Sequence, residues 1–343
     1  MPRQHLALAV PSEDNNMTSA LTAPLKNTTL NDTADSDAGA DKIFSWTVAS
    51  AATLVMVLLL AAAFAMLWGG RLAFQTFGLH FFVDSQWDAV AKQFGALVPI
   101  FGTLVSSLIA MLIAVPVSFG IAFYLTEIAP TWLRGPVATA VELLAGIPSI
   151  IYGMWGLFVF VPFMSDYILP WLDEHVGTLP FIGPVFQGPP LGIGMLTAGI
   201  VLAIMVIPFI SSIMRDVFKT VPSSLKESAY ALGATNWEVV WNVVLPYCRS
   251  AVVGGIFLGL GRALGETMAV TFVLGNSHQL SWSILMPGNS IAATIANEFT
   301  EADSDIYLSS LIALGFILFI VTFIVLAIAR IMLHNLSQKE GHA

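Results

Sequence analysis

At residues 227–233 the chain reads ESAYALG, and at residues 243–246 it reads VVLP. Long apolar runs precede and follow this polar segment. A short polar stretch between apolar runs of membrane-spanning length is typical of a loop that joins two transmembrane helices at the membrane surface. We therefore predict an α-helical membrane protein in which this segment lies at one face of the bilayer.

The composition of the whole chain agrees with a membrane protein. Of 343 residues, 57% are hydrophobic and 10% are charged, and a soluble domain of this length needs more charge on its surface. The apolar runs show no alternation of period two, which argues against a β-barrel. The predicted fold class is all-α, a polytopic membrane protein.

Six apolar runs are long enough to cross a bilayer, because about 20 residues rising 1.5 Å each span about 30 Å of hydrocarbon. The predicted spans cover residues 44–68, 98–125, 137–164, 191–214, 250–274 and 308–333. The first is an additional amino-terminal helix, and residues 98–333 form the main transmembrane domain with a loop at 215–249. Residues 1–43 and 334–343 are predicted as tails, the first disordered because it is polar.

The basic residues predict the orientation, because Lys and Arg are retained on the cytoplasmic side during insertion. With the amino terminus inside, Arg71 and Lys92 lie outside, and Arg262 lies within a span. All other basic residues are then cytoplasmic: Arg3, Lys26, Lys42, Arg134, Arg215, Lys219, Lys226, Arg249, Arg330 and Lys339. Both termini and the 215–249 loop are therefore expected on the cytoplasmic face.

Within the 215–249 loop, apolar spacing predicts two short helices. The first begins at a serine cap, Ser223 or Ser224, and ends at Gly233, where glycine permits the chain to turn. A second apolar stripe at helical spacing precedes Pro246. Two short helices that meet at a glycine suit docking into a groove of a partner protein. They equally suit an interfacial helix on lipid headgroups, which the tryptophans of the second stripe favour.

The fifth predicted span contains two charged residues, Arg262 and Glu266. A charge near the middle of a span costs about 2.5–3.5 kcal/mol on insertion scales, so it needs a partner or a function. Because the two residues are four apart, they are predicted to pair along one helix. They either hold the bundle together or line a substrate pathway. In a pathway, Arg262 offers hydrogen-bond donors to an oxyanion, and Glu266 accepts from the same donors when the anion is absent.

Glu142 is the other acid within a predicted span, about one turn before Pro148. Proline at that depth disturbs a helix, which membranes tolerate only where protein or a water-filled cavity surrounds it. A bend that lines the substrate pathway is one interpretation. The alternative is a packing kink with Glu142 hydrogen-bonded to a neighbouring helix, and the sequence favours neither.

The ESAYALG and VVLP segments closely resemble the EAA coupling loop of ABC importer permeases. That loop has Glu-Ala-Ala, three residues, Gly, nine residues and then Ile-x-Leu-Pro, and this chain departs from it at Ser228 and Val243. Residues from about 101 to 329 resemble the transmembrane domain of type I ABC importers. Three further segments are similar to the permeases of phosphate importers: LAGIPSIIYG at 144–153, GRALGETMAV at 261–270 and PGNSI at 287–291.

The resemblance implies a non-enzymatic permease subunit of a phosphate importer in the bacterial inner membrane. Its partners would be a PstA-like sister permease, two PstB-like ATP-binding subunits and a PstS-like periplasmic phosphate-binding protein. ATP hydrolysis is expected in the partners, since this chain lacks the glycine-rich phosphate-binding loop of ATPases. No cofactor or metal is expected, and the one cysteine, Cys248, excludes an intrachain disulfide. The coupling residues would be Glu227, Ala229, Gly233, Leu245 and Pro246.

Two alternatives remain beside this prediction. A secondary transporter would use Glu142 and Glu266 as proton carriers, but it leaves the coupling loop unexplained. A permease for sulfate, molybdate or phosphonate is the other, because a guanidinium does not by itself choose among tetrahedral anions. We interpret the acidic outer loop as solvated, with contact to the binding protein as the alternative. Its acids are Glu298, Glu301, Asp303 and Asp305.

Overall fold

The computed structural model is almost entirely helical. It describes residues 28–340, and the side chains of residues 41–333. Within this part of the chain, six helices are long and apolar enough to cross a membrane, which confirms the predicted fold class. The contacts distinguish two units, the helical stretch that ends at Ala62 and the bundle that begins at Ala63.

We number the elements in chain order. The spanning helices are α1 (Thr28–Gly69), α4 (Leu97–Ile128), α6 (Ser149–His175), α7 (Met195–Lys219), α9 (Asn236–Leu264) and α12 (Asp305–Glu340). The shorter helices are α2 (Arg71–Phe77), α3 (His80–Val83), α5 (Thr131–Ala145), α8 (Ser223–Ala231), α10 (Met268–Leu274) and α11 (Ile291–Glu298). A small antiparallel hairpin joins β1 (Trp87–Asp88) to β2 (Gln93–Phe94).

The terminal helices extend beyond the predicted spans. Helix α1 begins at Thr28, so residues 28–43, predicted as the end of a disordered tail, are helical. Helix α12 continues to Glu340, through most of the predicted carboxy-terminal tail. Lengthening an existing helix adds hydrogen bonds without a new nucleation cost. Residues 1–27 and 341–343 lie outside the described residues, so their predicted conformation stays a prediction.

The third span differs from the prediction of 137–164. Residues Thr131–Ala145 form a separate helix, α5, and the spanning helix α6 starts after Pro148 at Ser149. Pro148 has an extended ψ of 136° and caps α6. Proline disfavours helical geometry in the residue before it but suits the start of a helix. The predicted bend is therefore a complete break, and Glu142 lies on α5, before the span.

The fifth span also differs from the prediction of 250–274. Its helix, α9, starts at Asn236 and ends at Leu264, and a separate short helix, α10, begins at Met268. The helix is not uniform: residues Val240–Val244 form a π-helical turn, and Cys248 has φ −113° and ψ 18°. The second half of the coupling loop is therefore the first part of a spanning helix.

Helix α7 lies at the centre of the bundle, since 61% of its most apolar stretch of 18 residues is buried. It packs closely against α4 and α9 at glycines. A Cβ on Gly199 would lie 2.5 Å from Cγ2 of Ile109 on α4, and one on Gly259 would lie 2.5 Å from Cδ1 of Ile210. Small residues at such crossings let helix backbones approach, so α7 holds α4 and α9 on either side.

The segments between spanning helices at the end opposite α8 pack into an aromatic cluster. The carboxylate of Glu298 accepts hydrogen bonds from Nε1 of Trp87 and from the hydroxyl of Tyr307, each at 2.6 Å. Its other oxygen lies 2.7 Å from Nε2 of His278, whose ring stacks on Trp87 at 5.4 Å. The prediction of a solvated loop is therefore wrong for Glu298, because three side chains from distant segments enclose it.

Candidate functional site

The first helix of the coupling loop, α8, is exposed except at Lys226 and Ala229, which are partly buried. It has no buried residue, and Leu232 just after it is 89% exposed, while Leu225 and Tyr230 are also exposed. Glu227 lies on the solvent side and Ala229 is partly buried against the core. An exposed row of large apolar side chains on a small polar helix is typical of a docking surface.

The start of α8 is not capped as predicted. Pro222 is the N-cap residue, Ser223 is the first helical residue, and no side chain bonds to the free amides there. Proline suits this position because its φ is already close to the helical value and it has no N–H group to leave unpaired. The predicted serine cap is therefore wrong, and the first amides of α8 are open to other acceptors.

Gly233 ends α8 as the sequence predicts. Its φ is +88°, a left-handed conformation that side chains with a Cβ adopt only under strain. The amide of Ala234 donates to the carbonyl of Ala229 across this turn at 3.1 Å. A Cβ at Gly233 would meet nothing within 4 Å, so the backbone conformation alone requires glycine here.

The second helix of the loop begins with a capping box. The hydroxyl of Thr235 accepts from the amide of Glu238, whose carboxylate accepts from the amide of Thr235. From Asn236 onward the chain is the spanning helix α9, so Leu245 and Pro246 lie within a helix instead of after one. The predicted pair of short helices is therefore wrong: one short helix, α8, is joined through Gly233 to a long one.

The two tryptophans of the loop pack on protein. Trp237 and Trp241 stack at 5.6 Å, and both rings meet the edge of Phe119 on α4. Each is 53% exposed. These rings therefore anchor the first turns of α9 on α4. They leave Leu232, at the end of α8, exposed.

A buried ion pair ties α8 to the bundle. Nζ of Lys226 lies 2.7 Å from Oε1 of Glu127 on α4, with side chains only 17% and 7% exposed. Burial and the Glu127 carboxylate raise the pKa of Tyr230. Sequence reasoning placed Lys226 on the cytoplasmic face without a partner and did not use Glu127, although an acid at the end of the second apolar run was a visible signal.

Arg262 lies in the last turn of α9, and it does not pair with Glu266. Among the side chains of residues 41–333, no acceptor bonds to its Nε, which is buried. The Arg262 Cζ lies over the ring of Phe209, 5.4 Å from the centroid. The carboxylate of Glu266 instead accepts from the amide of Ala269 in α10 at 3.3 Å. The predicted pairing fails because α9 ends at Leu264, so the i, i+4 geometry is lost.

Glu142 pairs with Arg215, a residue that was not predicted to line the pathway. Its Oε1 accepts from Nη2 of Arg215 on α7 at 2.6 Å, and Arg215 also pairs with Asp216 at 2.8 Å. Arg215 and Phe209, which contacts Arg262, are six residues apart, about 9 Å along a helix. The geometry is that of the packing alternative, in which Glu142 bonds to a neighbouring helix.

Comparison with known proteins defines the class. Residues 115–338 match the family described as binding-protein-dependent transport system inner membrane component. The match covers more than half of the chain, and the helical bundle with its exposed α8 agrees with it. The chain belongs to this family of inner-membrane transport permeases.

Similar proteins within the family are phosphate permeases. The chain is 68% identical over 306 residues to the phosphate transport system permease protein PstC of Xylella fastidiosa (strain 9a5c), covering 89% of this chain and 94% of that protein. It is 55% identical over 299 residues to PstC of Pasteurella multocida (strain Pm70), covering 87% and 93%. It is also 38% identical over 276 residues to the probable PstC of Methanocaldococcus jannaschii, covering 79% and 86%.

Among solved structures, the chain is similar to a bacterial alginate ABC transporter in complex with an alginate pentasaccharide-bound periplasmic protein. The TM-score is 0.56 at 18% identity, and the match covers 85% of this chain and 95% of that one. A second structure of a bacterial alginate importer gives 0.51 at 18% identity, covering 87% and 99%. These likenesses support the ABC importer permease fold.

Proposed function

We propose that this chain is the permease subunit of an ATP-driven phosphate importer, and that it forms with a sister permease the path for inorganic phosphate across the cytoplasmic membrane. The observation that carries this proposal is the 68% identity to a phosphate transport permease over 89% of the chain. Residues 98–333 are the permease domain and α1 is an additional helix. Both termini and α8 are cytoplasmic, as the basic residues indicate.

The partners follow from the same proposal. A PstA-like permease completes the channel, two PstB-like subunits hydrolyse ATP beneath it, and a PstS-like periplasmic protein delivers phosphate. The exposed face of α8 supports the ATPase contact, because Leu225 and Leu232 are exposed apolar side chains that a groove can take up. Glu227 orients that contact, and the left-handed Gly233 fixes the angle between α8 and α9.

Work done at α8 reaches the membrane through α9. This helix runs for 29 residues from Asn236 to Leu264, with a kink at Cys248, over a contour length of about 44 Å. Leu245 and Pro246 lie inside it, next to the π-helical turn that accommodates the proline. Movement of α8 by a closing ATPase therefore displaces Arg262, which lies in the last turn of the same helix.

Arg262 contributes to the phosphate site in this proposal. Its buried Nε has no hydrogen-bond partner among the described side chains, and a buried unpaired donor on a charged group costs free energy. A phosphate oxyanion would satisfy it with a charge-assisted bond and would suit the planar guanidinium. Glu266 lies in the break between α9 and α10, where its carboxylate accepts from the amide of Ala269, and it would limit how firmly the anion is retained.

A reconstituted complex tests the proposal. The four kinds of subunit in liposomes are expected to accumulate labelled phosphate only with ATP on the α8 side and the phosphate-binding protein on the other. Sulfate, molybdate and phosphonate are expected to compete poorly. Preferential uptake of one of these anions would make the chain a permease for that oxyanion. Uptake that stops with an ionophore and continues without ATP would make it a secondary transporter.

A further inference from the structure

A cavity of about 390 Å³ opens at the end of the bundle that carries α8, away from Arg262. Four helices form its walls. Leu125 and Thr126 come from α4, Gly135 and Ala138 from α5, and the segment from Val221 continues into α8. Because α4 and α7 end here, at Ile128 and Lys219, the cavity lies at the depth where a membrane protein meets lipid headgroups.

All the charged side chains that line this cavity are basic: Arg134, Arg215, Lys219 and Lys226. Their acidic partners stand outside the lining. Glu127 pairs with Lys226, Glu142 with Arg215, and Asp216 with both Arg215 and Lys219. The lining of the cavity therefore presents cations and no carboxylate; of the acidic partners the Glu127 side chain is buried, while Glu142 and Asp216 are exposed outside the lining.

Two of these cations are fixed. The Arg215 side chain is 8% exposed and bonds through Nη2 to both Glu142 and Asp216. Arg134 is exposed, and its Nε donates to the carbonyl of Ala129 at 2.7 Å. A guanidinium that is fixed before a ligand arrives loses little freedom when it binds an anion.

The start of α8 adds to the positive potential of the cavity. Ser223, the first residue of α8, lies in the lining, and no side chain caps the helix there. Helix amino-terminal amides attract anions. The remaining wall is apolar, from Leu125, Ala138 and Val221. Positive groups beside an apolar wall suit a phosphate that is joined to a carbon chain.

We propose that this cavity binds a phosphate group, and that its occupant is the headgroup of an anionic phospholipid. The volume exceeds what a single inorganic phosphate fills, and basic pockets between transmembrane helices are typical sites for anionic headgroups. The bound phosphate joins α4, α5 and α7 to the base of α8. It therefore braces the helix on which the ATPase acts, whichever substrate the permease carries.

The test uses the full chain in its purified complex, in nanodiscs of phosphatidylcholine with increasing phosphatidylglycerol. Native mass spectrometry counts the phosphatidylglycerol retained after delipidation. The double variant Arg134→Gln with Lys219→Gln is expected to lower retention about thirtyfold, since each basic side chain near an anionic headgroup contributes on the order of 1 kcal/mol. Arg330→Gln, which removes a basic side chain on α12 outside the cavity lining, is the matched control and is expected to leave retention unchanged.

A second arm identifies the source of the phosphate group. Inorganic phosphate is titrated into the complex in pure phosphatidylcholine nanodiscs, with vanadate-free buffer and the binding protein absent, and binding is followed by ³¹P NMR. Binding that is lost in the double variant, without any lipid dependence, supports the site but assigns it to free phosphate. Equal retention of lipid and equal binding of phosphate in wild type and double variant would overturn the proposal. Because both readouts measure binding, they are independent of whether the complex transports phosphate.

Discussion

Arg262 keeps a full charge beside apolar neighbours. A charged side chain inside a spanning helix carries an insertion cost, and a cation–π contact with Phe209 recovers on the order of 1–2 kcal/mol of it. With its Nε unpaired, the side chain contributes less to stability than leucine would. Because Arg262 lowers the stability of the protein without a ligand, we explain its presence by an anion that it binds during transport.

Replacing Arg262 tests this explanation. Arg262→Ala is expected to abolish ATP-driven phosphate uptake, because the proposed phosphate site loses the hydrogen-bond donors of the guanidinium. Arg262→Lys, the matched control for charge, is expected to keep less than about a tenth of the uptake, since an ammonium cannot bond in the same planar way. The yield of assembled complex and its basal ATPase rate report folding. Undiminished uptake by Arg262→Ala would leave Arg262 as a packing residue.

Gly233 is the second position where one residue decides the outcome. Gly233→Val is expected to strain the left-handed turn by about 1–3 kcal/mol and to reduce recovery of ATPase with the complex. Gly233→Asn is the matched control, because asparagine tolerates this conformation. Pull-down of ATPase with each variant measures the effect. Equal recovery from valine and asparagine variants would show that the angle at Gly233 does not govern docking.

At the scale of helices and strands, sequence reasoning located six spans and misplaced the ends of two. Hydropathy averages over about 20 residues, so it reads through a break of two or three residues. Gly146 and Gly265 end helices within apolar runs, and the averaged signal does not register either break. For the same reason, hydropathy did not show that Glu142 belongs to α5, or that a helix end separates Arg262 from Glu266.

Contacts between distant elements produce the enclosed carboxylate of Glu298. Burial would raise its pKa, but hydrogen bonds from His278, Tyr307 and Trp87 outweigh burial and lower it below the ordinary 4.5. A carboxyl with a lowered folded-state pKa stabilises the fold above its unfolded pKa, and this contribution is lost as pH falls through the folded value. The stabilisation by Glu298 is therefore present at neutral pH and declines under acid conditions.

Glu298→Gln is expected to destabilise the complex by about 2–3 kcal/mol at pH 7, because it removes the charge from three hydrogen bonds. Thermal unfolding of wild type and variant measures the difference. It is expected to be largest above pH 5 and to shrink as pH falls below 4.5. Glu301→Gln, at an exposed position in the loop between α11 and α12, serves as the acidic control and is expected to have little effect. A pH-independent difference for Glu298→Gln would contradict the assignment.

At the scale of the whole molecule, the proposal requires α8 and the His278–Glu298 cluster to lie on opposite sides of the membrane. α9 runs from the α8 side, and the segment after it returns through α12. Only a cytoplasmic α8 can reach an ATPase. The orientation comes from the positions of Lys and Arg in the sequence, so it calls for a direct test.

Cysteine labelling tests the orientation. Ser228→Cys on α8 and Gln279→Cys in the opposite loop are both exposed positions, and Cys248 is buried. A membrane-impermeant maleimide is expected to label Gln279→Cys in intact spheroplasts and Ser228→Cys only in inverted vesicles. Permeabilised cells, in which both are expected to react, give the control. Labelling of Ser228→Cys from outside would place α8 beyond the reach of any ATPase.

The sequence by itself determined the class of fold, the number of spans and the turn at Gly233. Those features depend on composition, on hydropathy over long windows and on the backbone freedom of one residue, all of which are local. Only the tertiary structure decided which charges meet. Lys226 pairs with Glu127 and Arg215 with Glu142, each across helices distant in sequence. His278, in a loop, pairs with Glu298 at the end of α11. Among the side chains of residues 41–333, Arg262 has no acidic partner, because ion pairing depends on how helices end and cross, and no local pattern carries that information.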